Sequence, residues 1–191
     1  MTHGDVAMRG ETPLHGGRTT PGVVRIGDTV HRPANTNSDF VRRLLEHLWA
    51  KGFGGAPRFL GADEIGREVF SFIEGEVPAE LGLFNDRALC GAAALIRRLH
   101  DLAAELVTGT AETVCHNDLS PCNFVFRDGL PIAVIDFDAA SPGSRAHDLG
   151  YAAWLWLDFG SSRCLYPSRG ADFGSSSTPT ATWTRRWSSA P

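Results

Sequence analysis

Between Asn37 and Ala50 the apolar positions fall at Phe40, Val41, Leu44, Leu45 and Leu48. That is the 3.6-residue stripe of an amphipathic helix, with Asn37 or Ser38 as its cap and Gly52, Gly54 and Gly55 beyond its end. On either side the period drops to two. Val23 to Ile26 and Thr29 to Arg32 alternate around a Gly27-Asp28 turn, and Pro57 to Gly61 and Arg67 to Ile73 alternate around Asp63-Glu64-Ile65-Gly66. These predict two antiparallel strand pairs. A second helical stripe starts at Asn85 or Asp86 and runs to about Leu106, apolar at Leu89, Ala92, Ala93, Leu95, Ile96, Leu99 and Leu102, with Arg97, Arg98 and His100 suiting its C-terminal end. Phe124-Val125-Phe126, the tight-turn pair Asp128-Gly129 and Pro131 to Ile135 predict a hairpin. Leu149 to Leu157 predicts an apolar helix. The chain therefore reads as α+β, a sheet with one helix over 14–75 and a mainly helical part over 76–160, in one domain or two small lobes. Residues 1–13 read as a disordered leader.

Composition bounds the function. The chain has 191 residues, a net charge of −4 and a pI near 5.9, which argues against a nucleic-acid surface. No apolar run is long enough to span a membrane, and the start lacks the basic-then-apolar order of a signal peptide, so a cytoplasmic protein is the simplest expectation. Cys90, Cys115, Cys122 and Cys164 form no C-x-x-C pair, which argues against a zinc site. Residues 161–191 contain no Val, Ile or Met and show no period. Their Ser, Arg, Thr and Pro content predicts a disordered tail, such as a reading frame lost near Gly160 would produce.

The chemistry concentrates in residues 114–138, VCHNDLSPCNFVFRDGLPIAVIDFD. Asp118 and Asn123 stand five residues apart, the D-x-x-x-x-N spacing of a kinase catalytic loop. A carboxylate at Asp118 can take the proton of a hydroxyl and aim its oxygen at a phosphorus. Asn123 offers a neutral oxygen suited to Mg²⁺, and the hairpin returns a second oxygen donor, Asp136, to the same neighbourhood. Asp138 would assist the metal or cap the following turn. Upstream, Gly16-Gly17 with Thr19 and Thr20 suits a loop whose backbone N–H groups cover phosphates, although a glycine-rich leader reads the same way.

These residues resemble the aminoglycoside phosphotransferase and choline kinase superfamily, relatives of the protein kinases. The resemblance rests on His116-Asn117-Asp118-Leu119, Asn123, Ile135-Asp136-Phe137 and Asp148-Leu149. It implies a protein-kinase-like fold with an incomplete helical lobe. It also implies transfer of the γ-phosphate of ATP (or GTP) to a hydroxyl of a small molecule, with Asp118 as base, His116 bracing the catalytic loop, and Asn123 and Asp136 holding Mg²⁺. Asp148 would tie the next helix to that loop, or simply cap the helix. Phe72 to Pro78 would be the hinge, where Phe72 and Glu74 meet the adenine, or a plain linker. Asn117 stands where the family usually has Gly, in a residue type that tolerates left-handed backbone. The family's phosphate-binding Lys is missing: Lys51 lies at a helix end, and Arg32 on the second strand is the chosen substitute, with Arg25 as the alternative. Its carboxylate partner would be Glu46 or Asp39, unless both are solvated helix charges. The charge balance suits a cationic, aminoglycoside-type acceptor.

Overall fold

The computed structural model describes residues 10–14 and 21–159. Strands β1 (Glu11–Pro13), β2 (Val24–Ile26) and β3 (Thr29–Arg32) precede helix α1 (Ser38–Ala50), which is followed by β4 (Phe59–Ala62) and β5 (Glu68–Ser71). They form one antiparallel sheet in the order β1-β2-β3-β5-β4. Both predicted strand pairs are present, and α1 buries Val41, Leu44, Leu45 and Leu48, four of the five residues that predicted it.

Residues 11–13 correct the expectation of a disordered leader up to residue 13. They pair with Val24–Ile26, and Glu11 takes a hydrogen bond from Arg67 at 2.9 Å. A three-residue strand containing Pro gives no period, and Pro is accepted at this place because β1 is an edge strand. Gly16, Gly17 and Thr19 lie outside the described residues, as does the segment from residue 160 onward.

After the sheet, residues 72–78 lead toward helix α2 (Asp86–Ala103), capped by the Asn85 side chain, which accepts from the Ala88 N–H at 2.9 Å. Strand β6 (Thr113–Cys115) opens the loop of interest. The hairpin β7 (Phe124–Arg127) and β8 (Leu130–Val134) follows, then β9 (Ser141–Gly143), paired with β6, and helix α3 (Arg145–Trp156). Asp128 and Gly129 both have positive φ (51° and 72°), as a two-residue hairpin turn requires.

A continuous apolar core joins α1 to α2 through Leu44, Leu48, Phe53, Ala92, Ile96 and Leu99, and continues under the hairpin through Phe124, Val134 and Trp156. The Trp156 ring stands edge-on to Phe124 at 4.9 Å, and its N–H donates to the Leu119 carbonyl at 3.0 Å. Helix α3 thus holds the underside of the loop that precedes β7. Glu76 exchanges two backbone hydrogen bonds with Phe126, at 2.7 and 2.8 Å, so the segment leaving the small sheet is stitched to the hairpin. No described helix is long and apolar enough to cross a membrane.

Candidate active site

The loop between β6 and β7 is built around one buried carboxylate. Asp148, in the first turn of α3, is 0% exposed and accepts three hydrogen bonds at 2.8 Å, from the backbone N–H groups of His116 and Asn117 and from Nε2 of His100 on α2. Burial alone would raise its pKa. The His100 contact and the two N–H groups outweigh that and hold it below the usual carboxylate value. The cap of α3 is Ser144, whose hydroxyl accepts from the Ala146 N–H at 3.2 Å. Of the two readings of Asp148, the tie between helix and loop is the one observed.

Asn117 has φ 64°, the left-handed conformation expected of a residue standing in for Gly. Its Nδ2 donates to the Ala139 carbonyl at 2.8 Å and to Ser141 Oγ at 2.9 Å, so the substitution ties the loop to the segment after the hairpin. His116 is buried, with its ring edge-on to Phe137 at 4.6 Å. Its Nε2–H donates to the Ile135 carbonyl at 3.0 Å, and Nδ1 accepts the Asp118 N–H at 3.3 Å. Burial pushes its pKa down, which keeps the ring neutral in that tautomer. His116 braces the loop, and both of its nitrogens are engaged in doing so.

This framework presents Asp118. Its Oδ2 accepts from Asn123 Nδ2 at 2.9 Å, and its Oδ1 accepts from the hydroxyl of Tyr151, on α3, at 3.2 Å. Asn123 Nδ2 also donates to the Asp118 carbonyl at 2.9 Å, and the Asn123 carbonyl accepts the Ile135 N–H at 2.9 Å. The hairpin therefore brings Asp136 back beside Asn123, as the turn spacing predicts. Asp136 lies in left-handed backbone (φ 65°, ψ 65°) just before a short 3-10 turn, Phe137–Ala139. Burial, and then the negative charge of Asp138, raise its pKa.

Asp118, Asp136, Asp138 and Ala139 line a single cleft of about 260 Å³. Crowded carboxylates of this kind suit a hard cation. Among the described residues, no cluster of three or more His, Cys, Asp or Glu side chains is arranged to hold a metal by itself.

The small lobe reaches the cleft through Arg32. One terminal nitrogen of Arg32 bonds Asp138, and Nε lies 3.7 Å from Glu68 Oε2. Nε is buried, faces Glu68 and has no hydrogen-bond partner. The carboxylate partner of Arg32 is Glu68 on β5, and neither Glu46 nor Asp39 takes that role. Both are exposed, and Asp39 pairs with Arg42. The signal for Glu68 was cross-strand register, since Arg32 lies directly opposite it. Asn37 serves the same junction: its Nδ2 donates to the Asp138 and Ala140 carbonyls, both at 2.9 Å, and it makes no side-chain cap on α1. Lys51 is bound to Glu105 at 2.5 Å, in agreement with its exclusion as a phosphate ligand.

Phe72 and Glu74 share a partner in Arg25. The Arg25 guanidinium sits 3.6 Å from the Phe72 ring centroid, with a terminal nitrogen 3.6 Å from Glu74 Oε2. Cys115 is buried against the Ser144 carbonyl, and desolvation pushes its pKa up to about 11, so it is a filler and not a nucleophile.

Residues 94–185 match the model of the phosphotransferase enzyme family. The matched span takes in the catalytic-type loop, the hairpin and α3, and continues past the boundary that composition sets at residue 160. A trifolitoxin immunity protein of Rhizobium leguminosarum bv. trifolii is 38% identical over 157 residues, with 73% of this chain and 59% of that protein covered. The chain thus spans about three-fifths of this curated relative. Among solved structures, the gentamicin–APH(2")-IIa complex superposes with a TM-score of 0.51 at 14% identity, covering 75% of this chain and 69% of that one. The macrolide 2'-phosphotransferase MphH of Brachybacterium faecium gives a TM-score of 0.49 at 14% identity, covering 70% and 67%. The likeness to APH(2")-IIa is one of fold, the two-lobed protein-kinase-like α+β architecture.

Proposed function

With residues 94–185 assigned to the phosphotransferase enzyme family, we propose that this protein moves the γ-phosphate of ATP or GTP to a hydroxyl of a small molecule. The observation that carries the reading is the single cleft lined by Asp118, Asp136 and Asp138, with Arg32 of the small lobe at its edge. Asp118 aims the acceptor hydroxyl and takes its proton. Asp136, with the amide oxygen of Asn123, holds Mg²⁺, which when bound neutralises the phosphate charge. The Arg32 guanidinium takes a phosphate oxygen in place of the absent lysine. The loop carrying Gly16, Gly17 and Thr19 covers the phosphates, and Phe72 and Glu74 flank the base. His116 keeps Asp118 in place and transfers no proton.

The preferred acceptor is an aminoglycoside-like cation, in keeping with the net charge of −4. The trifolitoxin immunity protein among the relatives makes a toxin a further candidate acceptor. A second reading, a nucleotide-binding protein without catalysis, is favoured by the engagement of Arg32 with Asp138 and Glu68. ATP turnover with and without candidate acceptors, set against Asp118→Ala, decides between them. Turnover that the substitution reduces at least a hundredfold supports the kinase, and a Mg-ATP thermal shift without turnover supports the binder. Absence of both overturns the nucleotide reading altogether.

A further inference from the structure

Tyr151 stands on the outer side of α3, away from the face that buries Asp148, Ala152 and Trp156. It is 42% exposed, so its ring adds little to the core. Yet its hydroxyl reaches the one carboxylate on which the proposed transfer depends, donating to Asp118 Oδ1 at 3.2 Å while Asn123 Nδ2 donates to Oδ2 at 2.9 Å. Two donors, one on each oxygen and from different elements, fix the rotation of the carboxylate about its Cβ–Cγ bond. An exposed carboxylate held from one side only would sample other orientations.

We propose that Tyr151 is a positioning residue for the acceptor end of the reaction: its hydroxyl sets the plane of the Asp118 carboxylate, so that a lone pair of Oδ1 faces the incoming acceptor hydroxyl. Tyr151 exchanges no proton with substrate. Its phenol stays protonated, because partial burial and then the charge and hydrogen bond of Asp118 raise its pKa above the ordinary tyrosine value. The same geometry places an aromatic ring beside the acceptor position.

The inference rests on Asp118 being the acceptor-orienting base, and the test separates the two. Tyr151→Phe keeps the ring and removes the donor. It should lower kcat about tenfold, the scale of a lost orienting contact, with KM for Mg-ATP and the thermal midpoint unchanged. A packing role would move the midpoint and leave kcat in proportion to folded protein. The contact is read without activity by titrating the Tyr151 phenol by its ultraviolet absorbance in a Tyr166→Phe background, since the chain has 2 tyrosines. Asp118→Asn should lower that midpoint toward the ordinary tyrosine value. A midpoint indifferent to Asp118→Asn, or a Tyr151→Phe enzyme with wild-type kcat, overturns the inference. If Asp118→Ala itself leaves turnover intact, the kinase reading of Asp118 fails, and Tyr151 loses its role whatever the titration shows.

Discussion

Replacing Asp148 by alanine removes the acceptor on which the whole loop is hung. Three donors lose their partner at once: the backbone N–H groups of His116 and Asn117 and Nε2 of His100, each at 2.8 Å and each in the interior. An orphaned buried donor costs about 1–3 kcal/mol, so three cost roughly 3–9 kcal/mol before relaxation. Water entering the vacated space offsets part of this, so the expected loss is about 4 kcal/mol. For a chain of this size that is about 8–16 °C in thermal midpoint. Asp148→Asn keeps the volume but sets an NH₂ group against one of the N–H donors, and should recover no more than about half of the loss. The pH dependence adds a second reading. Asp148 has a lowered pKa in the folded state, so its contribution is fully present above the unfolded carboxylate value of about 4 and disappears as pH falls through the lower folded value. The wild type should therefore lose stability on acidification below about pH 4 more steeply than Asp148→Asn. Thermal denaturation by far-UV circular dichroism from pH 7 to 3 measures both effects. A midpoint for Asp148→Ala within about 3 °C of wild type at pH 7, equivalent to about 1 kcal/mol, would refute the view that this carboxylate organises the loop.

Asp136 predicts the opposite sign. Burial and the Asp138 charge raise its pKa, so as a carboxylate it opposes folding at neutral pH, and that penalty grows as pH rises through the raised folded value. Asp136→Asn, which also suits the left-handed backbone, should raise the metal-free midpoint by a few degrees while removing the Mg²⁺ dependence of ATP binding, as seen by thermal shift and calorimetry. Arg32→Ala takes the guanidinium from between Glu68 and Asp138 and should weaken nucleotide binding at least tenfold. Arg32→Lys should restore less than half of the lost binding energy, because an ammonium cannot span both carboxylates. At Gly75 an added Cβ would run into the Phe126 carbonyl and come within 2.5 Å of Val125 Cγ1. Gly75→Ala should therefore cost about 3 kcal/mol in chemical denaturation by separating residues 72–78 from the hairpin. Gly54→Ala, which meets nothing within 4 Å, should change stability by less than about 1 kcal/mol.

What the sequence made legible was local. The α1 stripe, the Asn85 cap, the Asp128-Gly129 turn and the Asp118 to Asn123 spacing all depend on residues a few positions apart, and each appears where its pattern places it. The left-handed conformation of Asn117 was readable for the same reason, since a single residue's tolerance decides it. Contacts closed by tertiary packing stayed hidden. Glu68 lies 36 residues from Arg32, opposite it only through the β3–β5 register, and nothing local marks it as a partner. Asn37 looked like a cap, because Asn at a helix start ordinarily is one, until the turn after β8 came within reach of its amide. Tyr151 sits in the apolar run Leu149 to Leu157, where nothing local marks its hydroxyl. Only the rotation of α3 set by Trp156 under Leu119 turns the phenol outward to Asp118.

One set of these contacts shares a direction: it joins elements of the small lobe to the segment 136–140. Arg32 and Asn37 both terminate there, and Asn117 reaches Ala139 from the opposite side. Asp136 is held in its left-handed conformation between these anchors, although a non-glycine residue pays roughly 1 kcal/mol or more for that backbone region. Such strain persists only where the surroundings over-determine it. Here they do so from three elements, β3, the start of α1 and the loop after β6. It follows that loosening any one anchor should relax Asp136 before it unfolds the hairpin, because the β7–β8 pairing itself involves none of these side chains. Cation-dependent nucleotide binding should then be lost at a smaller perturbation than secondary structure. The order of those two losses in an Asn37→Ala variant, followed by calorimetry and circular dichroism along one denaturant series, distinguishes a strained site from a merely rigid one.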